Sequence, residues 1–186
     1  EKNAFEFASV ATTDIVSDPL GSLDADDPMV LVSFARSGNS PESMAAVQVA
    51  RSLVKDLLLI NITCAPEGRL AVESQGKTDT LTLLIPGAND QGFAMTGSFS
   101  CMALLATLVF DTSSHEQKAA WVMDAATLGR EVISREHEIA AWLETDFERI
   151  TYLGSGPFSG LAREAQLKVL ELAAGKNPTS FDSSMG

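Results

Sequence analysis

The strongest constraint on the fold is that short apolar runs alternate with longer helical patterns along the chain. Met29 to Ala35 and Leu58 to Cys64 are mostly apolar and of strand length, and Pro41 to Leu57 between them has the pattern of a helix. Apolar strands separated by helices are typical of β-α-β units, in which a parallel sheet is covered on both faces. The sequence therefore predicts the α/β fold class.

The remaining elements repeat this order. Further strands are predicted at Phe5 to Ala11, Leu81 to Ile85 and Arg149 to Leu153, and further helices at Ser98 to Phe110 (capped by Ser98), Glu116 to Glu144 (one helix or two) and Leu161 to Ala174. A strand, a glycine-rich turn and a helix thus recur after the long helical segment. We therefore expect one domain over residues 1–147, which includes a long helical connection, and the start of a second domain over residues 148–186.

The charge of the chain limits its partners. Its 186 residues include 25 Asp and Glu against 13 Lys and Arg, which gives a formal net charge of -12. A nucleic-acid-binding face must neutralise phosphates, so we expect no nucleic-acid partner. No apolar run reaches the ~20 residues that span a bilayer, and the N-terminus lacks the pattern of a secretory signal, so we expect no membrane partner and a cytoplasmic location. A single phosphate is different, because backbone N–H groups can bind it on an acidic protein.

The residues that most often bind metals are few and scattered. Cys64 and Cys101 lie in apolar sequence without CxxC or His spacing, which favours packing roles for both. The only histidines, His115 and His137, lie in the Glu-rich helical segment and are interpreted as surface or packing residues. We therefore expect no metal site and no cofactor.

The turn after the Met29 to Ala35 strand is the first candidate binding site. Pro41 stands where a helix would begin, a position at which its missing N–H costs nothing, and Ser40 is the natural N-cap. Gly38 permits a positive φ, which lets successive N–H groups converge on one point. The turn is either an ordinary capped helix start or an anion site. The candidate phosphate-binding residues are Arg36, Ser37, Gly38, Asn39 and Ser40.

The segment SFARSGNSPES (Ser33 to Ser43) resembles the phosphate loop of double sugar isomerase (SIS) domains, a strand followed by S-x-SG-x-[ST]. The resemblance implies a three-layer αβα sandwich with a parallel, doubly wound, flavodoxin-like sheet. It also implies that the hydroxyls of Ser37 and Ser40 hold a sugar phosphate. Ala35 stands where many SIS domains carry a serine, so one hydrogen bond is either absent or supplied by Arg36 or the backbone.

The segment TGSFSCM resembles the opening of a later SIS helix near the ligand. The resemblance implies Ser98 and Ser100 as weaker substrate-binding residues, and the alternative is a serine-capped core helix. YLGSGPFSGLAREAQLKVLELAAGK (Tyr152 to Lys176) resembles the opening of the second SIS domain in the AgaS-type family of tagatose-6-phosphate isomerases and galactosamine-6-phosphate deaminases. It adds Ser155 to the weaker candidates.

The helix of this second segment carries charged residues on one face. At about 100° per residue, Glu164, Lys168 and Glu171 lie close together around the helix. This pattern indicates either a solvated face with an ion pair or a buried catalytic face whose carboxylate has a pKa tuned for proton transfer.

The isomerase domain of glucosamine-6-phosphate synthase, another SIS family, carries a similar helix, E-x-x-x-K-x-x-E. That resemblance implies Glu171 as the base that moves a proton between sugar carbons, Lys168 as its electrostatic partner and Glu164 as the residue that orients them. In the AgaS-type family an HGP stretch with a ring-opening histidine normally follows the segment that matches SFDSSMG, and this sequence has no counterpart of it.

The resemblance implies aldose-ketose isomerisation, with or without deamination, of a hexose or hexosamine 6-phosphate such as tagatose 6-phosphate or galactosamine 6-phosphate. It also implies a homo-oligomer, because SIS sites are often completed across a subunit interface. The alternative function is a non-catalytic SIS module that senses a phosphosugar and regulates a partner. The Glu164, Lys168 and Glu171 face favours the enzyme, since a sensor needs no acid-base pair. A dinucleotide is disfavoured because the GxGxxG pattern is absent.

Overall fold

The computed structural model describes residues 6–185 and confirms the α/β fold class. The helices in this part of the chain are α1 (Thr12–Ser17), α2 (Pro19–Ser22), α3 (Pro41–Leu53), α4 (Arg69–Val72), α5 (Thr96–Phe110), α6 (His115–Ser134), α7 (Glu136–Leu143) and α8 (Phe158–Leu172). Its strands are β1 (Met29–Ala35), β2 (Leu57–Thr63), β3 (Thr80–Leu84), β4 (Ile150–Leu153) and β5 (Thr179–Asp182).

The first three strands form a parallel sheet in the order β1-β2-β3. Ala35 at the end of β1 lies opposite Thr63, and Thr63 at the end of β2 lies opposite Leu84. All three strands therefore end at the same edge of the sheet. The loops that follow them meet where open α/β sheets bind their ligands.

The core fixes β1 against α3. Met44 and Val47 of α3 are buried in one apolar cluster with Ala35 and Leu59 of the sheet and Leu70 of α4. These residues are all at most 8% exposed, so neither α3 nor α4 shifts without opening a cavity. The turn between β1 and α3 is thus held at both of its ends.

The chain divides into two compact units. One takes in the chain up to Gln91 together with Met95–Phe110, and the other takes in Gly92–Ala94 and the chain from Asp111 onward. The predicted boundary near residue 148 separates two SIS domains, which is a different division from these two compact units. That boundary stays a prediction.

The second unit contains its own parallel strand pair, β4 and β5. The helix α8 connects these strands and contacts both of them. Gln166 of α8 donates a hydrogen bond from Nε2 to Thr179 Oγ1 of β5, at 3.0 Å. The strand β5 was not predicted, because TSFD is short and only one of its four residues, Phe181, is apolar.

The strand predicted at Phe5 to Ala11 is wrong over the residues that the structure describes, while residue 5 lies outside them. Residues 6–11 have no regular secondary structure and lead into α1. None of the strands that the structure describes pairs with residues 6–11. Instead Phe7 packs edge-to-face on Phe110 of α5, with ring centroids 5.7 Å apart.

The strand β1 is confirmed at both ends, and the other predicted elements are confirmed with shifted ends, as for α3, which stops at Leu53 instead of Leu57. Ser98 is not the cap of its helix, because α5 begins at Thr96 and the Asp90 side chain accepts hydrogen bonds from its first turn. The long helical segment is two helices that break at Arg135, and Gly129 lies inside α6.

No helix among residues 6–185 is both long enough and apolar enough to cross a membrane. Within the same residues, no three His, Cys, Asp or Glu side chains are grouped to hold a metal ion.

Candidate phosphate and acid-base sites

The turn after β1 has the backbone that its sequence predicts. Gly38 adopts a φ of +63°, a conformation that other residues adopt only with strain. Ser40 is the N-cap of α3, and its Oγ accepts a hydrogen bond from Ser43 N at 3.2 Å. Pro41 occupies the first position of the helix. These features confirm the predicted strand-turn-helix geometry, with the turn at the positive end of the α3 dipole.

The loop after β2 holds this turn in place. Gly38 O accepts a hydrogen bond from Leu70 N at 3.0 Å, and Asn39 Oδ1 accepts one from Arg69 N at 2.9 Å. At Gly68 the approach is so close that a Cβ atom would lie 2.2 Å from Ser37 O. Only glycine fits there, so the shape of the turn depends on a residue well outside it.

The two predicted phosphate-binding hydroxyls lie in the turn and are half-buried. Ser37 Oγ accepts a hydrogen bond from Asn39 N at 3.3 Å. Ser40 Oγ donates to Ser43 Oγ at 2.7 Å, in addition to capping the helix. Both side chains are therefore held in place by the turn itself. The proton of Ser37 Oγ is not used in these bonds, whereas Ser40 would donate to an anion only by giving up its bond to Ser43 Oγ.

Arg36 points to the loop after β3. Its Nη1 donates to Asn89 Oδ1 at 3.0 Å and to Asp90 O at 2.7 Å. Asn89 and Asp90 were not predicted from the sequence. The sequence did indicate them, because these two polar residues follow a predicted strand. That strand ends at the same edge of the sheet as the turn after β1.

Asp90 joins this contact to α5. Its carboxylate accepts hydrogen bonds from Gly97 N at 3.2 Å and Ser98 N at 2.7 Å. The hydrogen bonds of Ser98 hold the pKa of Asp90 below its usual range, with smaller contributions from Gly97 and the charge of Arg36. Asp90 is therefore ionised at neutral pH and complements the positive end of α5.

The weaker candidates on α5 both have partners within the chain. Ser98 is 1% exposed. Ser100 is exposed, and its Oγ donates to Thr96 O, one helical turn back, at 2.8 Å. A sugar would reach Ser100 only after breaking that bond, and the contribution of both residues to substrate binding stays a prediction.

The charged face of α8 is a linked cluster of three side chains. Lys168 Nζ lies 2.9 Å from Glu171 Oε2 and 3.4 Å from Glu164 Oε1. The side chains of Lys168, Glu164 and Glu171 are 19%, 25% and 32% exposed, respectively. The cluster lies between the two predicted alternatives, because it is an ion-paired face that is also largely removed from water.

The hydrogen bond to Glu171 raises the pKa of Lys168 and outweighs the lowering that burial causes, and Glu164 raises the pKa further. Lys168 therefore stays protonated at neutral pH. A fixed ammonium beside a carboxylate stabilises negative charge on a nearby oxygen while the carboxylate accepts a proton.

The turn after β4 collects serine hydroxyls. Ser155 Oγ lies 2.7 Å from Ser184 Oγ and 3.1 Å from Ser183 Oγ, and it accepts a hydrogen bond from Ser184 N at 3.0 Å. Gly154 precedes this group, and a Cβ there would lie 2.2 Å from Phe158 O. Sequence reasoning named Ser155 but missed Ser183 and Ser184, because β5 in front of them was not predicted.

The structure thus brings the predicted residues together in two groups, one in each compact unit. Arg36 to Ser40 form one continuous turn in the first unit, with Ser98 and Ser100 on α5 of the same unit. Ser155 and the α8 cluster of Glu164, Lys168 and Glu171 belong to the second unit.

Known proteins resemble this chain over almost its whole length. An AgaS protein of Streptomyces coelicolor is 44% identical over 179 residues, which are 96% of this chain and 46% of the relative. The D-galactosamine-6-phosphate deaminase AgaS of Shewanella sp. strain ANA-3 is 39% identical over 180 residues, 96% of this chain and 45% of the relative. No family model matches the chain.

Solved structures show the same relationship. The crystal structure of tagatose-6-phosphate ketose/aldose isomerase from Escherichia coli superposes with a TM-score of 0.86 at 37% identity, and the match covers 95% of this chain and 48% of that one. The predicted resemblance and the SIS-type three-layer fold are thereby confirmed. The chain spans about half the length of the relatives that it matches.

Proposed function

Since the chain belongs, over the part that it spans, to the AgaS-type SIS phosphosugar proteins, we propose that its protein catalyses aldose-ketose isomerisation of a hexose or hexosamine 6-phosphate, with or without deamination. The observation that carries the proposal is the α8 cluster, in which Lys168 contacts both Glu164 and Glu171. A module that only senses a phosphosugar has no need of a partly buried acid-base group.

The turn after β1 supplies the phosphate-binding part of the proposal. The backbone bend at Gly38, the hydroxyls of Ser37 and Ser40, and the N-terminus of α3 together favour one small anion. The binding energy of a phosphate remote from the reacting carbons is available to orient the sugar for reaction.

The α8 cluster supplies the proton transfer. Glu171 as a carboxylate takes the proton from C2 of the open-chain aldose, which leaves an enediolate with its negative charge on O1. A proton then passes from the O2 hydroxyl to O1, and Glu171 returns its proton to C1, which gives the ketose. The Lys168 ammonium stabilises the negative charge that develops on the sugar oxygen, and Glu164 holds Lys168 in position. With a 2-amino sugar, the same shift gives an imine that water hydrolyses to the ketose with loss of ammonia.

The test is turnover of a small panel of hexose and hexosamine 6-phosphates by the full-length protein, with ammonia release measured alongside sugar conversion. We expect conversion of tagatose 6-phosphate or of galactosamine 6-phosphate, and ammonia only from the amino sugar. Binding of these compounds without any turnover would overturn the enzymatic proposal and establish a phosphosugar sensor instead.

We extend the proposal to a cytoplasmic homo-oligomer with a domain boundary near residue 148. Its support is the SIS resemblance, since SIS sites are often completed across subunit interfaces. The mass of the full-length protein in solution, measured by light scattering, tests the oligomer, and a monomer at working concentration would contradict it.

A further inference from the structure

Two hydrogen bonds from one guanidinium nitrogen connect loops that are far apart in sequence. Arg36 Nη1 reaches Asn89 Oδ1 at 3.0 Å and Asp90 O at 2.7 Å, and all three residues are half-buried. Arg36 follows β1 and Asn89 follows β3, and β2 lies between these strands. The contact therefore spans the middle strand at the carboxyl edge of the sheet.

The far end of this contact is fixed. Asp90 is held to the first turn of α5 by its bonds to Gly97 N and Ser98 N. A Cβ at residue 97 would lie 2.8 Å from Asp90 Oδ1, so a larger residue there would displace the Asp90 carboxylate. Arg36 thus binds to a loop that a fifteen-residue helix anchors.

The near end is fixed as well. Arg36 O accepts hydrogen bonds from Cys64 N at 3.1 Å and from Thr63 Oγ1 at 3.2 Å. Thr63 is 0% exposed, so this part of β2 is rigid core. The backbone and the side chain of Arg36 are therefore held by two different loops, directly before the predicted phosphate-binding serines.

We propose that Arg36, Asn89 and Asp90 form a positioning contact, the Arg36 bridge, that holds the turn after β1 in the shape that binds a sugar phosphate. The inference rests on the proposed function. Asn89 and Asp90 act through Arg36 and do not touch the substrate. A turn held in its binding shape before the ligand arrives spends less binding energy on ordering, so loss of the bridge weakens phosphate binding.

The test replaces Asn89 with Ala in the full-length protein, which removes one acceptor of Arg36 and leaves the charge of Arg36 in place. We expect KM for the sugar phosphate to rise about tenfold with kcat and the melting temperature nearly unchanged. Asn89→Asp keeps an acceptor oxygen at the same place and should restore KM. The matched control is Gln91→Ala, since exposed Gln91 contacts only the backbone O of Asn89, at 3.1 Å, in the hydrogen bonds of the described chain.

Three outcomes would contradict the proposed bridge. The first is an unchanged KM in Asn89→Ala, and the second is an equal rise of KM in Gln91→Ala. The third is a parallel fall of kcat and melting temperature in Asn89→Ala, which would show a merely structural role. If Asn89→Ala does not fold, Asn89→Ser takes its place, because its side chain is too short to reach Arg36. A wild-type protein that neither binds nor converts any sugar phosphate would instead overturn the proposed function, and the bridge with it.

Discussion

The turns after β1 and β4 share a strand-turn-helix plan but place their chemistry differently. After β1 the polar groups lie in the turn itself, where Gly38 bends the backbone and Ser40 caps the helix. After β4 the helix has no side-chain cap, and its charged groups lie one to four turns further along α8. Under the proposed function, one strand-turn-helix unit anchors an anion and the other supports an acid-base cluster, and the shared plan does not determine which.

The largest expected effect is at Glu171, which should be needed for the proton transfer and not for binding of the sugar phosphate. Glu171→Gln keeps the shape of the side chain and removes the base, so kcat should fall about 10²- to 10⁴-fold while the affinity for the sugar phosphate stays within a few-fold. Steady-state kinetics and calorimetric titration measure the two quantities. Glu131→Gln, at an exposed position on α6, is the control and should leave both unchanged. Full activity in Glu171→Gln would remove Glu171 as the base.

The turn after β1 should show the opposite pattern, with binding lost before stability. Replacing both Ser37 and Ser40 with Ala removes two hydroxyls, and Kd for the sugar phosphate should rise at least about tenfold. Because Ser40 is also an N-cap, stability should fall by about 1 kcal/mol. Ser114→Ala removes the N-cap of α6 in the same way and should cost similar stability with no effect on Kd. If the double variant binds phosphorylated and free sugar with equal affinity, it has lost its anion site, as expected. An unchanged preference for the phosphorylated sugar would contradict the phosphate role.

The backbones of the two turns differ in how tightly they are packed. Gly38 and Gly156 both have positive φ, but a Cβ at Gly38 would lie 3.2 Å from Leu70 Cβ, whereas a Cβ at Gly156 meets no atom within 4 Å. Gly156→Ala should therefore cost about 1 kcal/mol, from backbone strain alone, and Gly38→Ala should cost more. Urea unfolding of both variants measures the difference. Equal costs would show that the turn after β1 can move away from α4.

The smallest expected effects are opposite responses to pH. The pKa of Asp90 is lowered by folding, so its contribution to stability is present above its unfolded pKa of about 3.9 and is lost as pH falls through the folded value. The pKa of Lys168 is raised, so its contribution is complete below about 10.4 and is lost as pH rises through the folded value. Asp90→Asn should flatten the acid limb of the stability curve and Lys168→Gln the alkaline limb. Thermal unfolding of both variants between pH 2 and 11 tests these expectations. They would be contradicted if Asp90→Asn changed the alkaline limb and Lys168→Gln the acid limb.

Local patterns were enough to predict the elements that carry the site. β1 was predicted to the residue, and the cap at Ser40, the positive φ of Gly38 and the clustering of Lys168 with two glutamates follow from spacing alone. The predictions that failed depend on partners outside the local pattern. No strand of the described residues pairs with residues 6–11, and the first turn of α5 donates to Asp90 in the preceding loop.

The close approach of Gly68 to Ser37 O limits how far this turn can be transplanted. The segment SFARSGNSPES, grafted alone between a strand and a helix of another protein, would carry the serines but not the loop that keeps them in place. Because the Arg36 bridge also reaches this turn, the smallest portable unit runs from Met29 through Phe110, so that β1, α3, β2, α4, β3 and α5 travel together. An engineer who wants the proposed anion anchor must borrow this larger unit and not a motif.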